Sequence, residues 1–126
     1  VNTIVGVFDY FRDSIILHRM EKHGSNITFY INVRGRALTL PPEGMQRGSF
    51  ELSISFSGVV SFFNAEYDTY EVLGMKSISN FEEIIESDYI KQLPIRKDWA
   101  EVKHYRLWTY DDVFDILATE YSVEVL

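Results

Sequence analysis

Histidines are the scarcest side chains with metal-binding or acid–base potential in this 126-residue chain, which has three of them: His18, His23 and His104. No HxH or HxxxH spacing joins any two of them, so the sequence encodes no local metal-binding pair. His23 lies in a predicted turn, while His18 and His104 fall in predicted strands and would form a site only by meeting in space. A surface or hydrogen-bonding role is the simpler interpretation of a single histidine in a strand.

Carboxylates form two dense groups. The first, in a predicted helix, comprises Glu82, Glu83, Glu86 and Asp88; the second, in the DDVFD stretch, comprises Asp111, Asp112 and Asp115. Two carboxylates on facing elements would suit acid–base hydrolysis. However, Glu83 stands three residues after Asn80, the spacing of a capping box, and tight turns favour aspartate. DDVFD also lacks the glycine and terminal glutamate of a calcium loop, so structural roles are favoured for both groups.

Two further groups carry polar chemistry. Asp13 and Ser14, in FRDSIILHRM, either open a catalytic site or bond to backbone groups where the chain enters a strand, and the second interpretation is favoured. Arg34, Arg36 and Arg47 make one basic patch near a glycine-rich segment, which suits binding of an acidic group or simply balances the acidic half. There is no cysteine, and no GxSxG, P-loop, GxGxxG or HExxH motif. The sequence therefore predicts no enzyme, no cofactor and no bound metal.

Period-two alternation is the dominant pattern among the elements that must position these groups. In residues 27–33 and 50–56, apolar and polar side chains alternate, which predicts that Phe29, Ile31, Leu52 and Ile54 lie in the core. The predicted strands are 15–22, 26–34, 50–63 with a bulge at Gly58, 69–79, 102–110 and 113–125. The last of these is favoured as a strand over a helix because of the tight Asp111–Asp112 turn before it.

Turns and one helix complete the prediction. Gly24 and Asn26 tolerate positive φ, so EKHGSN is predicted to be a hairpin turn. Gly35 is expected to end the second strand, and PPEGMQRG, residues 41–48, is predicted to be a loop. A helix is expected after Asn80, with an apolar face formed by Phe81, Ile84, Ile85 and Tyr89. Together these elements predict a single mainly β domain over residues 1–126. Its expected form is an antiparallel sandwich or strongly curved half-barrel of six or seven strands with one short helix.

Charge narrows the choice of partner. The net charge is −7, yet residues 1–48 carry six basic and four acidic residues while residues 49–126 carry six and fifteen. An acidic chain repels phosphate backbones, so we expect no nucleic-acid partner. The acidity either solvates the surface or steers a basic protein towards it. The chain also lacks a long apolar run, a leader-like basic start and cysteines, which predicts a cytoplasmic protein without a membrane partner.

A family resemblance follows from the order of these segments. FRDS, an apolar strand, a hairpin, a late HYRLWTY strand and a final DILATEYSVEV are similar to small bacterial β-rich proteins, some of them immunity proteins of polymorphic or contact-dependent toxin systems. The resemblance spans most of the chain, and it implies a stoichiometric toxin inhibitor without identifying the toxin. Many members carry histidine where this chain has Arg12, which puts any site at that position in doubt.

Three functional hypotheses follow. The first is a protein-binding module, specifically an immunity protein that occludes a basic toxin. Its candidate contact residues are Tyr67, Asp68, Tyr70, Glu71, Glu82, Glu83, Glu86, Tyr89 and Trp99, although these tyrosines equally suit packing on the sheet. The second is a ligand-binding or enzymatic domain with Asp13, Arg34, Arg36 and His104 around a cavity. The third is a homo-oligomer, such as a dimer, joined through an edge strand.

Overall fold

Nine strands and two short helices make up the part of the chain that the computed structural model describes, which comprises residues 2–3, 15–40, 44–72, 81–85, 87–92 and 101–126. Side chains are described for residues 15–33, 51–70, 81–85, 87–91 and 101–126. The strands are β1 (Asn2–Thr3), β2 (Ile15–His23), β3 (Asn26–Leu40), β4 (Gly44–Ser57), β5 (Ser61–Glu66), β6 (Phe81–Ile84), β7 (Lys103–Trp108), β8 (Asp112–Ala118) and β9 (Glu120–Val125). The helices are α1 (Tyr67–Val72) and α2 (Asp88–Gln92).

The strands form two antiparallel sheets. Sheet A has the order β1-β6-β7-β8-β5, and sheet B has the order β2-β3-β4-β9. A single hydrophobic cluster joins inward-facing side chains of both sheets, and the ring centroids of Phe29 in sheet B and Phe114 in sheet A lie 5.0 Å apart. This arrangement confirms the prediction of a mainly β, antiparallel sandwich. The strand and helix counts exceed those predicted, partly because two predicted strands are each divided between the two sheets.

Sheet B shows why alternation identifies the core. Phe29, Ile31, Leu52 and Ile54 are each 0% exposed, which confirms their predicted place in the core. Burying one such side chain contributes about 1.5–3 kcal/mol. Neighbouring polar positions point away from sheet A. There Thr28 and Ser55, which are paired across β3 and β4, hydrogen-bond through their hydroxyl oxygens at 3.0 Å.

The hairpins of sheet B agree with one turn prediction and contradict another. The β2–β3 loop is Gly24–Ser25, and Gly24 has a φ of 60°, the positive value that primed hairpin turns require. In contrast, Gly35 does not end β3, and residues 44–48 belong to β4, so the loop prediction for 41–48 is wrong there. Gly35 pairs with Gly48, because backbone groups continue the ladder where the side-chain pattern has stopped. Residues 41–43 lie outside the described residues.

Gly58 marks a crossing between the two sheets rather than the predicted bulge. β4 pairs with β3 and β9 in sheet B, whereas β5, which follows Gly58, pairs with β8 in sheet A. The predicted strand 113–125 is extended, as expected, but divides at Thr119 in the same way. Thr119 donates two hydrogen bonds to the Ser57 carbonyl, from N at 3.0 Å and from Oγ1 at 2.9 Å. These hydrogen bonds hold the two crossings, at Gly58 and Thr119, against each other.

Residues 67–92 reverse two predictions. The predicted strand 69–79 begins within helix α1, and the remainder of it, residues 73–80, lies outside the described residues. The helix predicted after Asn80 is instead strand β6, and α2 begins later, at Asp88. Phe81 pairs with Leu107 of β7 and is 0% exposed. The burial of that ring outweighs a local capping preference of about 1 kcal/mol.

Strand β7 confirms the predicted strand 102–110, and a hairpin joins it to β8. The turn is closed by Thr109, whose N and Oγ1 both donate to the Asp112 carbonyl at 2.8 Å. Tyr110 and Asp111 form the bend, one position before the predicted Asp111–Asp112 turn. This hairpin places the side chains of the candidate site on sheet A.

Candidate functional site

The outer face of sheet A, turned away from sheet B, carries a row of polar side chains. Glu82 of β6 pairs with Arg106 of β7, and Arg106 pairs with Asp115 of β8, which in turn pairs with Phe63 of β5. Directly paired residues point to the same face, so these four side chains form one row across the sheet. His104 lies two positions before Arg106 and therefore projects from the same face.

Asp115 is the centre of this network. It is 0% exposed and accepts hydrogen bonds from three neighbours. Arg106 Nε donates to Oδ1 over 2.8 Å, His104 Nε2 lies 2.5 Å from the same oxygen, and the Tyr70 hydroxyl donates to Oδ2. A cationic partner and several hydrogen-bond donors offset the desolvation cost of a buried carboxylate, so it can stay ionised.

The protonation states follow from these contacts. Burial alone would raise the pKa of Asp115. The hydrogen bond from His104, the positive charge of Arg106 and the hydrogen bonds from Tyr70 and Arg106 instead hold that pKa below its ordinary value of 3.8. The pKa of Tyr70 is raised, first by burial and then by its hydrogen bond to Asp115. At neutral pH Asp115 is therefore ionised and Tyr70 is a hydrogen-bond donor.

His104 links Asp115 to Ser87 at the start of α2. Ser87 Oγ lies 2.6 Å from His104 Nδ1, while Nε2 faces the carboxylate. A neutral ring with its proton on Nε2 donates to Asp115 and accepts the Ser87 hydroxyl proton at Nδ1. The Ile90 N–H donates to Ser87 Oγ over 3.3 Å, so Ser87 also caps α2. Hydroxyl, imidazole and carboxylate thus form one chain of hydrogen bonds.

Aromatic packing holds helix α1 against Trp108 of β7, two positions after Arg106. The Trp108 ring makes edge contacts with Tyr67 and Tyr70, at centroid distances of 5.5 and 5.4 Å. Trp108 Nε1 donates to Glu82 Oε2 over 3.2 Å, and the Arg106 guanidinium lies 5.3 Å from the centre of the Tyr70 ring. Arg106 therefore lies against the Tyr70 and Trp108 rings and the Asp115 carboxylate, which fixes the geometry around Asp115.

A stacked aromatic pair joins this network to the surface. The rings of Phe63 and Tyr89 stack with centroids 5.0 Å apart and an interplanar angle of 20°. Phe63 is 41% exposed and Tyr89 is 37% exposed. Tyr89 also makes an edge contact with the His104 ring, at 5.3 Å. One ring therefore touches both the exposed surface and the buried histidine.

A cleft of about 300 Å³ lies between β6, α2 and the start of β7. Ser87 and His104 both line it, and its apolar wall includes Ile84, Ile85 and Ile90. Glu83, Lys91 and Lys103 supply its charged lining groups. The volume is at the lower end of the range for small-molecule sites.

At the far end of β7, acidic side chains gather around two tyrosines. We call this the acidic corner, and it comprises Glu66, Tyr67, Asp68, Tyr110, Asp111 and Asp112. Glu66 pairs with Asp112 across β5 and β8, and the Tyr67 N–H donates to the Asp111 carbonyl over 2.9 Å. Tyr110 is 46% exposed. The pKa of Asp112 is raised, first by burial and then by the negative charges of Asp111 and Glu66.

The structure separates the contact residues that the first hypothesis groups together. Tyr67 and the exposed Asp68 belong to the acidic corner, whereas the half-buried Glu83 lines the cleft and the exposed Tyr89 packs on the His104 ring. Tyr70 and Glu82 are 6% and 1% exposed and bond within the chain, so a partner does not reach them directly. The side chain of Glu71, together with Glu86 and Trp99, lies outside the described residues.

The residues of the second hypothesis fall in different sheets. His104 belongs to sheet A, while Arg34 and Arg36 belong to β3 of sheet B. The side chains of both arginines, and Asp13, lie outside the described residues. His18 is an exposed residue of β2 whose Nε2 lies 3.9 Å from Glu51 Oε1. His18 and His104 therefore have separate surroundings.

Sequence reasoning misses two members of the network, Ser87 and Arg106. It names Asp115 among the DDVFD carboxylates and places it in the predicted strand 113–125, but it does not identify Asp115 as a buried centre. A better signal is its position in VFDILA, where a lone charge interrupts an apolar strand and so must have partners. Ser87 carries no such signal, because its role depends on a strand that lies far along the chain.

Comparison with known proteins gives no relatives for this chain: no family model, no curated protein and no solved structure matches it. Within the described residues, no group of three or more His, Cys, Asp or Glu side chains is placed to hold a metal ion. The helices in that part of the chain are too short and polar to cross a membrane. Function is therefore argued from the geometry above.

Proposed function

We propose that this chain is a protein-binding module that engages a basic protein through the acidic corner. Its specific role in this proposal is that of an immunity protein, which inhibits a toxin by covering its active site. The observation that carries the proposal is the crowding of like charges around Asp112, which pairs with Glu66 and follows Asp111. Burial first, and then these two negative charges, raise the pKa of Asp112. Mutual repulsion of carboxylates costs stability in the free protein, and a cationic partner would relieve it.

An exposed aromatic ring next to these charges strengthens the proposal. Tyr110 lies in the corner itself and is 46% exposed, whereas Phe63, three residues before Glu66 along β5, projects from the opposite face of sheet A. Interfaces combine aromatic anchors with a charged and polar rim. Tyr110 and the corner carboxylates together offer both components.

The net charge of −7 would also attract a basic partner over a longer range than direct contact. A basic protein would be drawn towards the acidic half before contact, which raises the association rate. Basic surfaces are typical of proteins that act on nucleic acids, so a nuclease toxin is the partner class that this charge fits best. Carboxylates at the corner would then occupy positions that phosphates occupy in the substrate.

Surface plasmon resonance against the product of the neighbouring gene tests this function. We expect one-to-one binding whose association rate falls about tenfold or more between roughly 10 mM and 150 mM salt, as the Debye length shortens from about 30 to 8 Å. Co-expression should also protect cells from the toxicity of that product. An association rate that does not respond to salt would exclude an electrostatic inhibitor.

A further inference from the structure

The chain of hydrogen bonds from Ser87 through His104 to Asp115 has the connectivity of a serine hydrolase triad. The two links measure 2.6 and 2.5 Å, and both Ser87 and His104 line the cleft between β6, α2 and β7. Such a triad needs a hydroxyl bonded to a neutral imidazole, and an ionised carboxylate that orients the ring. We propose that Ser87 and His104 are the catalytic residues of an acyl-ester hydrolase, with Asp115 as the positioning residue.

The ring is used in the reverse sense from the familiar triad. Here Nδ1 faces the serine and Nε2 faces the aspartate, whereas the common arrangement places Nε2 on the serine. Either nitrogen serves as a base when the other carries the proton, so the chemistry is unchanged. Arg106 and Tyr70 bond to the same carboxylate, and thereby hold Asp115 in the one orientation that supports His104.

The reaction runs in two balanced halves. Ser87 Oγ attacks the ester carbonyl carbon while its proton moves to His104 Nδ1. The bond to the leaving alcohol then breaks, that alcohol takes the proton from Nδ1, and an acyl-serine remains. Water next attacks the acyl carbon and gives a proton to Nδ1, after which the acid departs and Ser87 Oγ recovers that proton. Ester and water become acid and alcohol, with no other reactant.

The cleft sets the substrate class. Its volume of about 300 Å³ and the isoleucines along its wall suit a short apolar acyl group. Ser87 and His104 do not belong to the acidic corner, whereas Tyr89, a candidate contact residue, packs on the His104 ring with centroids 5.3 Å apart. Removal of the corner charges should therefore leave hydrolysis in place.

A fluorophosphonate probe and p-nitrophenyl butyrate test the proposal on the intact chain. We expect the probe to attach once, at Ser87, as located by peptide mass spectrometry, and the ester to be hydrolysed with saturation. Ser87→Ala should remove the labelling and lower hydrolysis at least 100-fold. Unlabelled wild-type protein, or labelling that persists in Ser87→Ala, would overturn the assignment.

A second variant covers the case in which loss of the α2 cap unfolds the chain. The protein has no cysteine, so iodoacetamide reports only on an introduced thiol. The Ser87→Cys thiol, next to His104, should alkylate at pH 7 at least tenfold faster than a Ser122→Cys thiol on the exposed strand β9. An equal or slower rate for Ser87→Cys would refute activation by His104 without any measurement of partner binding.

Discussion

Arg106 and Asp115 form an ion pair across the β7–β8 ladder, with Arg106 Nε 2.8 Å from Asp115 Oδ1. The side chain of Arg106 is 12% exposed and that of Asp115 is 0% exposed. Removing either partner therefore leaves a charge that water compensates poorly. The same carboxylate holds His104 and Tyr70, so the pair organises the whole outer face of sheet A.

Asp115→Asn should lower the free energy of unfolding by about 3–5 kcal/mol, because Arg106 then remains buried without its counter-charge. Arg106→Met alone should cost a similar amount, while the double variant should cost less than the sum of the two. Urea unfolding of the four proteins at pH 7 measures this coupling. Additive losses would contradict a direct ion pair.

Acid should remove the stability that the ionised Asp115 carboxylate provides. Asp115 has a lower pKa in the folded protein than in the unfolded chain, where the ordinary value is 3.8. The stability that its charge provides is therefore complete above about pH 4 and is lost as pH falls through the folded value. The free-energy gap between wild type and Asp115→Asn should narrow between pH 5 and pH 2.5. A gap that stays constant over this range would refute an ionised Asp115.

Asp112→Asn should raise the free energy of unfolding, whereas Asp115→Asn should lower it. The pKa of Asp112 is raised by burial and by the charges of Asp111 and Glu66, so its ionised form destabilises the folded protein at pH 7. The variant should be more stable there by up to about 1 kcal/mol, and the difference should vanish below roughly pH 4. Urea unfolding at both pH values checks this, with exposed Glu124→Gln as the control. A loss of stability at pH 7 would remove the repulsion argument.

Two glycines with the same backbone angle give a matched test of the sheet crossing. Gly24 and Gly58 have φ values of 60° and 63°, but an added Cβ at Gly24 meets nothing within 4 Å, whereas at Gly58 it overlaps the side chain of Thr119. Gly24→Ala should cost about 1 kcal/mol, from backbone strain alone. Gly58→Ala should cost about 3 kcal/mol, because it adds a steric clash. Equal losses in thermal unfolding would show that the contact with Thr119 is unimportant.

The sequence predicts the parts of this fold that depend on side-chain period. The alternation around Phe29 and Ile54 gives the core of sheet B and the antiparallel class directly, because a two-residue period allows only one buried face. Gly24 also gives the first hairpin, since a positive φ is a local requirement. These features need no knowledge of distant segments.

Other parts depend on contacts that no local pattern contains. Asn80 and Glu83 resemble a helix start, yet Phe81 is drawn into a strand by its pairing with Leu107. Gly58 predicts a bend in the chain, but it does not predict that the next strand joins the other sheet. The Ser87–His104–Asp115 chain is equally non-local, since three separate elements bring its members together. Tyr67 and Asp68 remain partner-binding candidates for a reason that appears only in three dimensions: their proximity to Asp111 and Asp112.

The central claim is that the acidic corner, rather than net charge alone, recruits a basic protein. Two triple variants separate these explanations, because each removes three negative charges from a different place. The corner variant is Glu66→Gln/Asp68→Asn/Asp111→Asn. The control variant, with its changes at exposed positions of sheet B, is Glu51→Gln/Glu120→Gln/Glu124→Gln.

Association rates of both variants with the product of the neighbouring gene, measured by surface plasmon resonance at low salt, test the claim most directly. The corner variant should associate at least about tenfold more slowly than wild type, while the control variant should change by less than about threefold. Dissociation rates should change less than association rates for both, since rim charges act chiefly on encounter. A corner variant that associates as fast as wild type, or no more slowly than the control, would contradict the claim.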